Sequence, residues 1–149
     1  MTAVNMPVPS PAHHEQPGLR VLLVDDTPQV LHDLRQLLEL TGKMEIVAEA
    51  GNGREAIRLA ADLAPDVVVM DLEMPVMNGY EATRQLKSRS PAMRVVILSV
   101  HAGAKEREGA RTAGADCFVV KGASYEVLVD TIQGKYDSPD LSDNKKGKT

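Results

Sequence analysis

Leu19-Arg-Val-Leu-Leu-Val-Asp-Asp-Thr-Pro28 decides the fold. Its first six residues are apolar at nearly every position and rich in β-branched character, the signature of a short strand buried on both faces. The run stops at two carboxylates. Thr27 and Pro28 then read as a helix start: a hydroxyl able to cap, followed by a residue whose φ is already helical and which has no amide to satisfy. Val30, Leu34, Leu37 and Leu38 continue at helical spacing, and Gly42 ends the helix.

Outward from this stretch the pattern repeats. Met44 to Ala50 reads as a strand, and Arg54 to Ala64 as a helix with Ile57, Ala60, Ala61 and Ala64 inward. After Pro65 comes a third buried strand, Val67-Val-Val-Met70. A helix is expected from about Gly79 to Arg89, a fourth strand over Arg94 to Ser99, and a weakly apolar helix near Lys105 to Ala113. A fifth strand, Cys117 to Val120, and a last helix from Ser124 complete the series. Strands joined by crossover helices run parallel, and right-handed crossovers place helices on both faces. The fold class is therefore α/β, a doubly wound five-stranded parallel sheet with five helices. Such sheets bind ligands at the carboxyl ends of their strands.

The chain has 149 residues, 43% of them hydrophobic, which suits one globular domain with tails. That domain is expected over 19–134, with a disordered lead at 1–18 and a linker or tail at 135–149. Residues 1–18 hold four prolines and no continuous apolar run of signal-peptide or membrane-spanning kind. His13 and His14, within it, read as solvated polar sequence. The net charge of −4 argues against a surface built to hold nucleic-acid phosphates, so neither direct nucleic-acid binding nor membrane association is expected. One cysteine, Cys117, has no partner for an intramolecular disulfide, which fits a cytoplasmic address.

Functional residues should fall where apolar strands stop. Asp25 and Asp26 follow the first strand and Asp71 the third, so three carboxylates are expected to converge, an arrangement that favours a hard cation between them. Mg²⁺ is the expected cofactor, with Mn²⁺ able to substitute, and the backbone carbonyl of Glu73 is a further candidate ligand. Ser99 ends the fourth strand and Lys121 follows the fifth. A carboxylate nucleophile attacking phosphorus needs such a hydroxyl and cation beside the transferred group. Each residue alone has an ordinary reading as cap, turn or surface residue; their joint placement at the ends of four strands does not.

These residues, with Val68-Val-Met-Asp-Leu-Glu-Met-Pro-Val-Met-Asn-Gly79, Leu98-Ser99 and Phe118-Val-Val-Lys121, resemble the receiver domain of two-component response regulators. The likeness covers roughly Leu19 to Gly134. It implies a flavodoxin-like sheet of strand order 2-1-3-4-5, with Asp71 as phosphoacceptor, Asp25 and Asp26 as the acidic metal pair, and Ser99 and Lys121 on the phosphoryl group. It also implies that Ser99 and Phe118 move together as a switch, and that a sensor histidine kinase or phosphotransfer protein is the donor. The domain promotes its own phosphorylation and dephosphorylation rather than turning over a substrate. Lys121-Gly-Ala-Ser124, Ser99-Val-His101 and Ala48-Glu-Ala-Gly-Asn-Gly53 are similar to receivers of LuxR-type transcription regulators, so the chain is expected either to stand alone or to be the receiver part of such a protein.

Glu73 and His101, two residues beyond Asp71 and Ser99, are expected to flank the site and to set phosphate lifetime. The charged helix near Lys105 to Ala113, beside Phe118, suggests a phosphorylation-dependent partner or homodimer surface. Two rival readings remain. One is a degenerate receiver that works without phosphorylation. The other is a Mg²⁺-dependent phosphohydrolase with an aspartate nucleophile, for which Glu73 has the spacing of an acid/base.

Overall fold

The computed structural model describes residues 18–135; apart from Gly18 and Lys135, the expected lead and tail, with His13 and His14, lie outside them. Five strands alternate with five helices: β1 Leu19–Val24, α1 Pro28–Leu40, β2 Met44–Ala50, α2 Gly53–Leu63, β3 Val67–Met70, α3 Gly79–Arg89, β4 Arg94–Ser99, α4 Ala104–Ala113, β5 Cys117–Val120 and α5 Tyr125–Ile132. All pairings are parallel and the order is β2-β1-β3-β4-β5, as expected. The β1–β2 register shifts between Val21 and Leu22.

Alternation along the strands divides the interior into two cores, because successive side chains point to opposite faces. Leu22, Val24, Val68, Met70, Val95, Ile97 and Phe118 pack with Ala56, Ile57 and Ala60 of α2, Ala82 and Leu86 of α3, and Ala110 of α4. Val21, Leu23, Val67, Val69, Val96, Leu98, Cys117 and Val119 pack with Leu31 and Leu38 of α1 and Leu128, Val129 and Ile132 of α5. Each buried Val, Leu, Ile, Met or Phe side chain among them contributes roughly 1.5–3 kcal/mol on leaving water. The sheet is doubly wound, with α1 and α5 on one face and α2 to α4 on the other.

Two local expectations are corrected, the inward stripe of α2 and the side-chain cap at Thr27. Helix α2 begins at Gly53, and its inward stripe is Gly53, Ala56, Ile57 and Ala60, so Ala61 and Ala64 are exposed. Ala64 leaves the helix in the left-handed region, at φ 48°. In α1 the buried pair is Leu31 and Leu38; Val30, Leu34 and Leu37 are half-buried along a groove shared with Tyr125 and Leu128 of α5. The Thr27 side chain makes no capping hydrogen bond, and its amide instead donates to Asp25 Oδ1 at 2.9 Å. Side-chain caps do occur elsewhere: Asn52 accepts from the Glu55 amide, and Asn78 from the Glu81 amide.

The amino-end pole of the sheet is closed by matched charge. Arg20 donates to the Leu63 and Ala64 carbonyls at 2.7 and 2.9 Å, which satisfies the end of α2. Lys87 Nζ reaches the Met93 carbonyl at 2.8 Å and Asp116 Oδ2 at 2.9 Å, and Asp116 also accepts from the Val95 amide. Arg94 donates to the Thr131 carbonyl at 2.7 Å and lies 3.2 Å from the buried sulfur of Cys117.

Candidate functional site

In a sheet of order 2-1-3-4-5 the connections leave in opposite directions on either side of β1 and β3, which opens a crevice at their carboxyl ends. Backbone bonds carry the ladder one residue past each strand. The Asp25 amide donates to Ala50 O at 3.0 Å, and the Asp71 amide to Val24 O at 3.0 Å. Two apolar runs that neighbour each other in the sheet thus end with their carboxylates side by side. One oxygen from each of Asp25, Asp26 and Asp71 lies within 4.8 Å of the others. Asp25 and Asp71 are buried, whereas Asp26 is exposed.

Lys121 enters from β5. Its amide donates to Ser99 O at 2.9 Å, and its Nζ lies 2.8 Å from Asp25 Oδ2 and 3.6 Å from Asp71 Oδ1. Burial lowers the tendency of Lys121 to stay charged, but the hydrogen bond to Asp25 and the charges of Asp71 and Asp25 outweigh it and raise its pKa. Asp71 shows the opposite balance. Desolvation first, then the charge of Asp25, push its carboxyl up to about 6 despite the pull of Lys121.

Three carboxylates facing one ammonium are short of positive charge, and every donor in the set is a hard oxygen. That combination suits a divalent ion such as Mg²⁺, held by carboxylates and waters, better than a thiolate- or imidazole-seeking metal.

Ser99 is buried, and its Oγ both donates to the His101 carbonyl at 3.1 Å and accepts from the His101 amide at 3.2 Å. Phe118 is buried with the Arg107 guanidinium 4.9 Å from its ring centroid. Arg107 also donates to Ala102 O at 2.7 Å. Glu73 and His101 meet across the mouth of the site at 3.3 Å, both well exposed.

The structure thus brings together Asp25, Asp26, Asp71 and Lys121, sets Ser99 on the neighbouring strand end, and pairs Glu73 with His101. Phe118 sits one strand away, under α4. The charged helix α4 buries only Ala110 and Ala113 fully, and Glu108 pairs with Arg111 on its surface. Two features lay beyond sequence reasoning. One is the Arg107–Phe118 stack, which no spacing signals. The other is Gly53, whose amide donates 3.0 Å to Met77 O in the loop after Asp71; the only local sign of it was a glycine just inside a helix start.

The family model described as response regulator receiver domain matches residues 21–133. The nitrate/nitrite response regulator protein NarP of Escherichia coli is 37% identical over 119 residues, which cover 80% of this chain and 55% of that protein. The response regulator protein VraR of Staphylococcus aureus is 36% identical over 115 residues, 77% of this chain and 55% of that protein. The chain spans about half the length of these curated relatives. Among solved structures, a LuxR-family two-component response regulator from Aurantimonas sp. SI85-9A1 superposes with a TM-score of 0.77 at 37% identity, covering 84% of this chain and 93% of the other. The signal receiver domain of the putative response regulator NarL from Mycobacterium tuberculosis gives 0.76 at 28% identity, covering 80% and 96%.

Proposed function

Since this chain belongs to the response-regulator receiver family, we propose that Asp71 is its phosphoacceptor and that Asp25, Asp26 and Asp71, with the Glu73 backbone carbonyl, hold the Mg²⁺ that the reaction uses. Mn²⁺ is the expected substitute. When bound, the ion supplies positive charge to the transferred phosphoryl oxygens. The observation that carries the reading is the grouping of three carboxylates within 4.8 Å, with Lys121 2.8 Å from one and 3.6 Å from another.

The reaction follows from these groups. A carboxylate oxygen of Asp71 attacks phosphorus, the bond from phosphorus to the donor breaks, and an acyl phosphate forms on Asp71. With a phosphohistidine donor the imidazole nitrogen leaves with the electron pair and regains a proton from water. Lys121 stands where its ammonium can turn from Asp25 and Asp71 to a phosphoryl oxygen. The Ser99 hydroxyl serves the same group once it exchanges its bonds to the His101 backbone. That exchange is the first move of the switch, and Phe118, under Arg107, is the second. The reverse step is attack of water on the acyl phosphate, so the domain promotes both its own phosphorylation and its own dephosphorylation. The Glu73–His101 pair lies across the approach and sets how readily water arrives.

The donor is a sensor histidine kinase or phosphotransfer protein in the cytoplasm, and the output surface, open to a partner or a second copy, includes α4. Among the described residues no helix is long and apolar enough to cross a membrane. The test is intact mass after incubation with Mg²⁺ and acetyl phosphate. A single labile phosphoryl adduct on the wild type, absent from Asp71→Asn, is expected; an equal adduct on both, or none on either, overturns the reading.

A further inference from the structure

The loop from Asp71 to Gly79 carries a strained turn. The Met77 amide donates 2.7 Å to Pro75 O, closing a γ-turn about Val76, whose φ is +70°. That form of γ-turn is rare, and a β-branched residue at positive φ is an outlier, so such a turn persists only where its surroundings fix it.

Two glycines fix it. At the base, Gly79 donates 2.9 Å to Leu72 O, and a Cβ on Gly79 would stand 2.0 Å from Asp71 O. At the tip, the Gly53 amide holds Met77 O at 3.0 Å, and a Cβ on Gly53 would stand 2.6 Å from that same oxygen and 2.9 Å from Met77 Cγ. Gly53 belongs to another element, the first turn of α2, where a helix amide has no partner within its own helix. Asn52 and Glu55 hold that turn rigid: Asn52 accepts from the Glu55 amide, and the Glu55 carboxylate accepts from the Gly51 amide. Between the two clamps lies Glu73, whose carboxylate reaches His101 at 3.3 Å. The loop is thus a bridge, fixed on one side to α2 and touching the β4–α4 connection on the other.

We infer that Gly53 is a positioning residue for phosphoryl transfer: by holding the Met77 carbonyl with nothing between, the start of α2 keeps the strained loop in the one conformation that aligns Glu73 and Asp71. This rests on the proposed phosphoacceptor role of Asp71. Any side chain at Gly53 pushes a backbone carbonyl, and the stiff turn at Val76 passes the push along the loop. A displacement near 1 Å at a reacting group costs on the order of 100-fold in rate.

The test uses the whole chain in four forms: wild type, Gly53→Ala, Val76→Gly and the double variant. Two readouts are taken: the rate of adduct formation from acetyl phosphate as a function of Mg²⁺, and amide exchange of residues 72–79 without metal. Gly53→Ala is expected to slow uptake at least about 10-fold and to speed exchange in the loop, while exchange in β1 and β3 stays as in wild type. Val76→Gly alone leaves uptake within about 2-fold, because glycine accepts the left-handed turn. In the double variant glycine at the turn absorbs the push locally, and uptake returns to within about 3-fold of the Val76→Gly rate. If Gly53→Ala alone does not fold, the double variant is compared with Val76→Gly for the same loop exchange and rate. Wild-type rate and loop exchange in Gly53→Ala, or a slowed rate that Val76→Gly does not restore, overturns the positioning role. Failure of the wild type itself to form an adduct removes the phosphoacceptor reading, and this role with it.

Discussion

The two poles of the sheet handle buried charge in opposite ways. At the amino ends of the strands, Arg20 faces two carbonyls and the Asp66 carboxylate accepts from the backbone of the same residue. Lys87 is shared among Asp116 and two carbonyls there. At the carboxyl ends Asp25, Asp26 and Asp71 face Lys121. One pole is electrostatically balanced and holds elements together. The other has an excess of negative charge, the setting that the proposed divalent ion and phosphoryl transfer call for. Charge that ties elements together and the charge to which the chemistry is assigned under the proposed function are here separated by the length of the strands.

The sharpest break in that comparison is removal of the acceptor. Asp71→Asn should abolish the phosphoryl adduct in intact mass, and retention of a labile adduct would relocate the chemistry. Next is Lys121→Met, expected to slow phosphoryl uptake by about 100-fold or more, since a fixed cation at developing charge is commonly worth that much. A change under about 3-fold in quenched-flow assays would leave Lys121 a structural partner of Asp25.

The pH response follows from Asp71, raised from 3.8 to about 6 by desolvation and by Asp25. A carboxyl with a higher pKa in the folded state binds its proton more tightly folded than unfolded. Between about pH 4 and 6 the native state therefore holds more protons, and stability falls as pH rises through that window. The loss expected is on the order of 2 kcal/mol in urea titrations with chelator present, restored by Mg²⁺ at neutral pH and missing from Asp71→Asn. A flat profile in the wild type would mean that the carboxylates are already balanced.

At the opposite pole, Lys87→Met should cost about 2 kcal/mol of stability by leaving the half-buried Asp116 without its cation, yet leave phosphoryl uptake within about 2-fold. Loss of uptake would show that the poles are coupled. The smallest effect expected is that of Arg107→Ala: about 1 kcal/mol, from loss of the cation over Phe118, with faster amide exchange confined to α4.

The strand runs and the residues that end them were legible in the sequence because burial on both faces leaves a continuous apolar signal, and its interruption by Asp25, Asp71, Ser99 and Lys121 marks one edge of the sheet. Membership of the family followed from the same interruptions. Helix phase was less legible. Ala61 and Ala64 are as apolar as Ala56 and Ala60, so two overlapping stripes share Ile57 and Ala60, and packing against the sheet turns the one with Gly53 and Ala56 inward. Thr27 has the right side chain for a cap, but the neighbouring Asp25 carboxylate, acceptor of the Thr27 amide, arranges the turn differently. The hold of Gly53 on Met77 and the stack of Arg107 on Phe118 join residues from separate elements, so no local pattern announces them.

Cys117 lies at the start of β5 with none of its surface exposed and Arg94 against its sulfur. A thiol so enclosed reacts with a modifying reagent only at moments when the sheet opens there. The chain therefore carries its own clock for local opening of β5: at saturating reagent, the labelling rate equals the opening rate of the strand that bears Phe118 and leads into Lys121. Slower labelling after phosphorylation would measure, with the native chain alone, how far the modified state closes down on its own core.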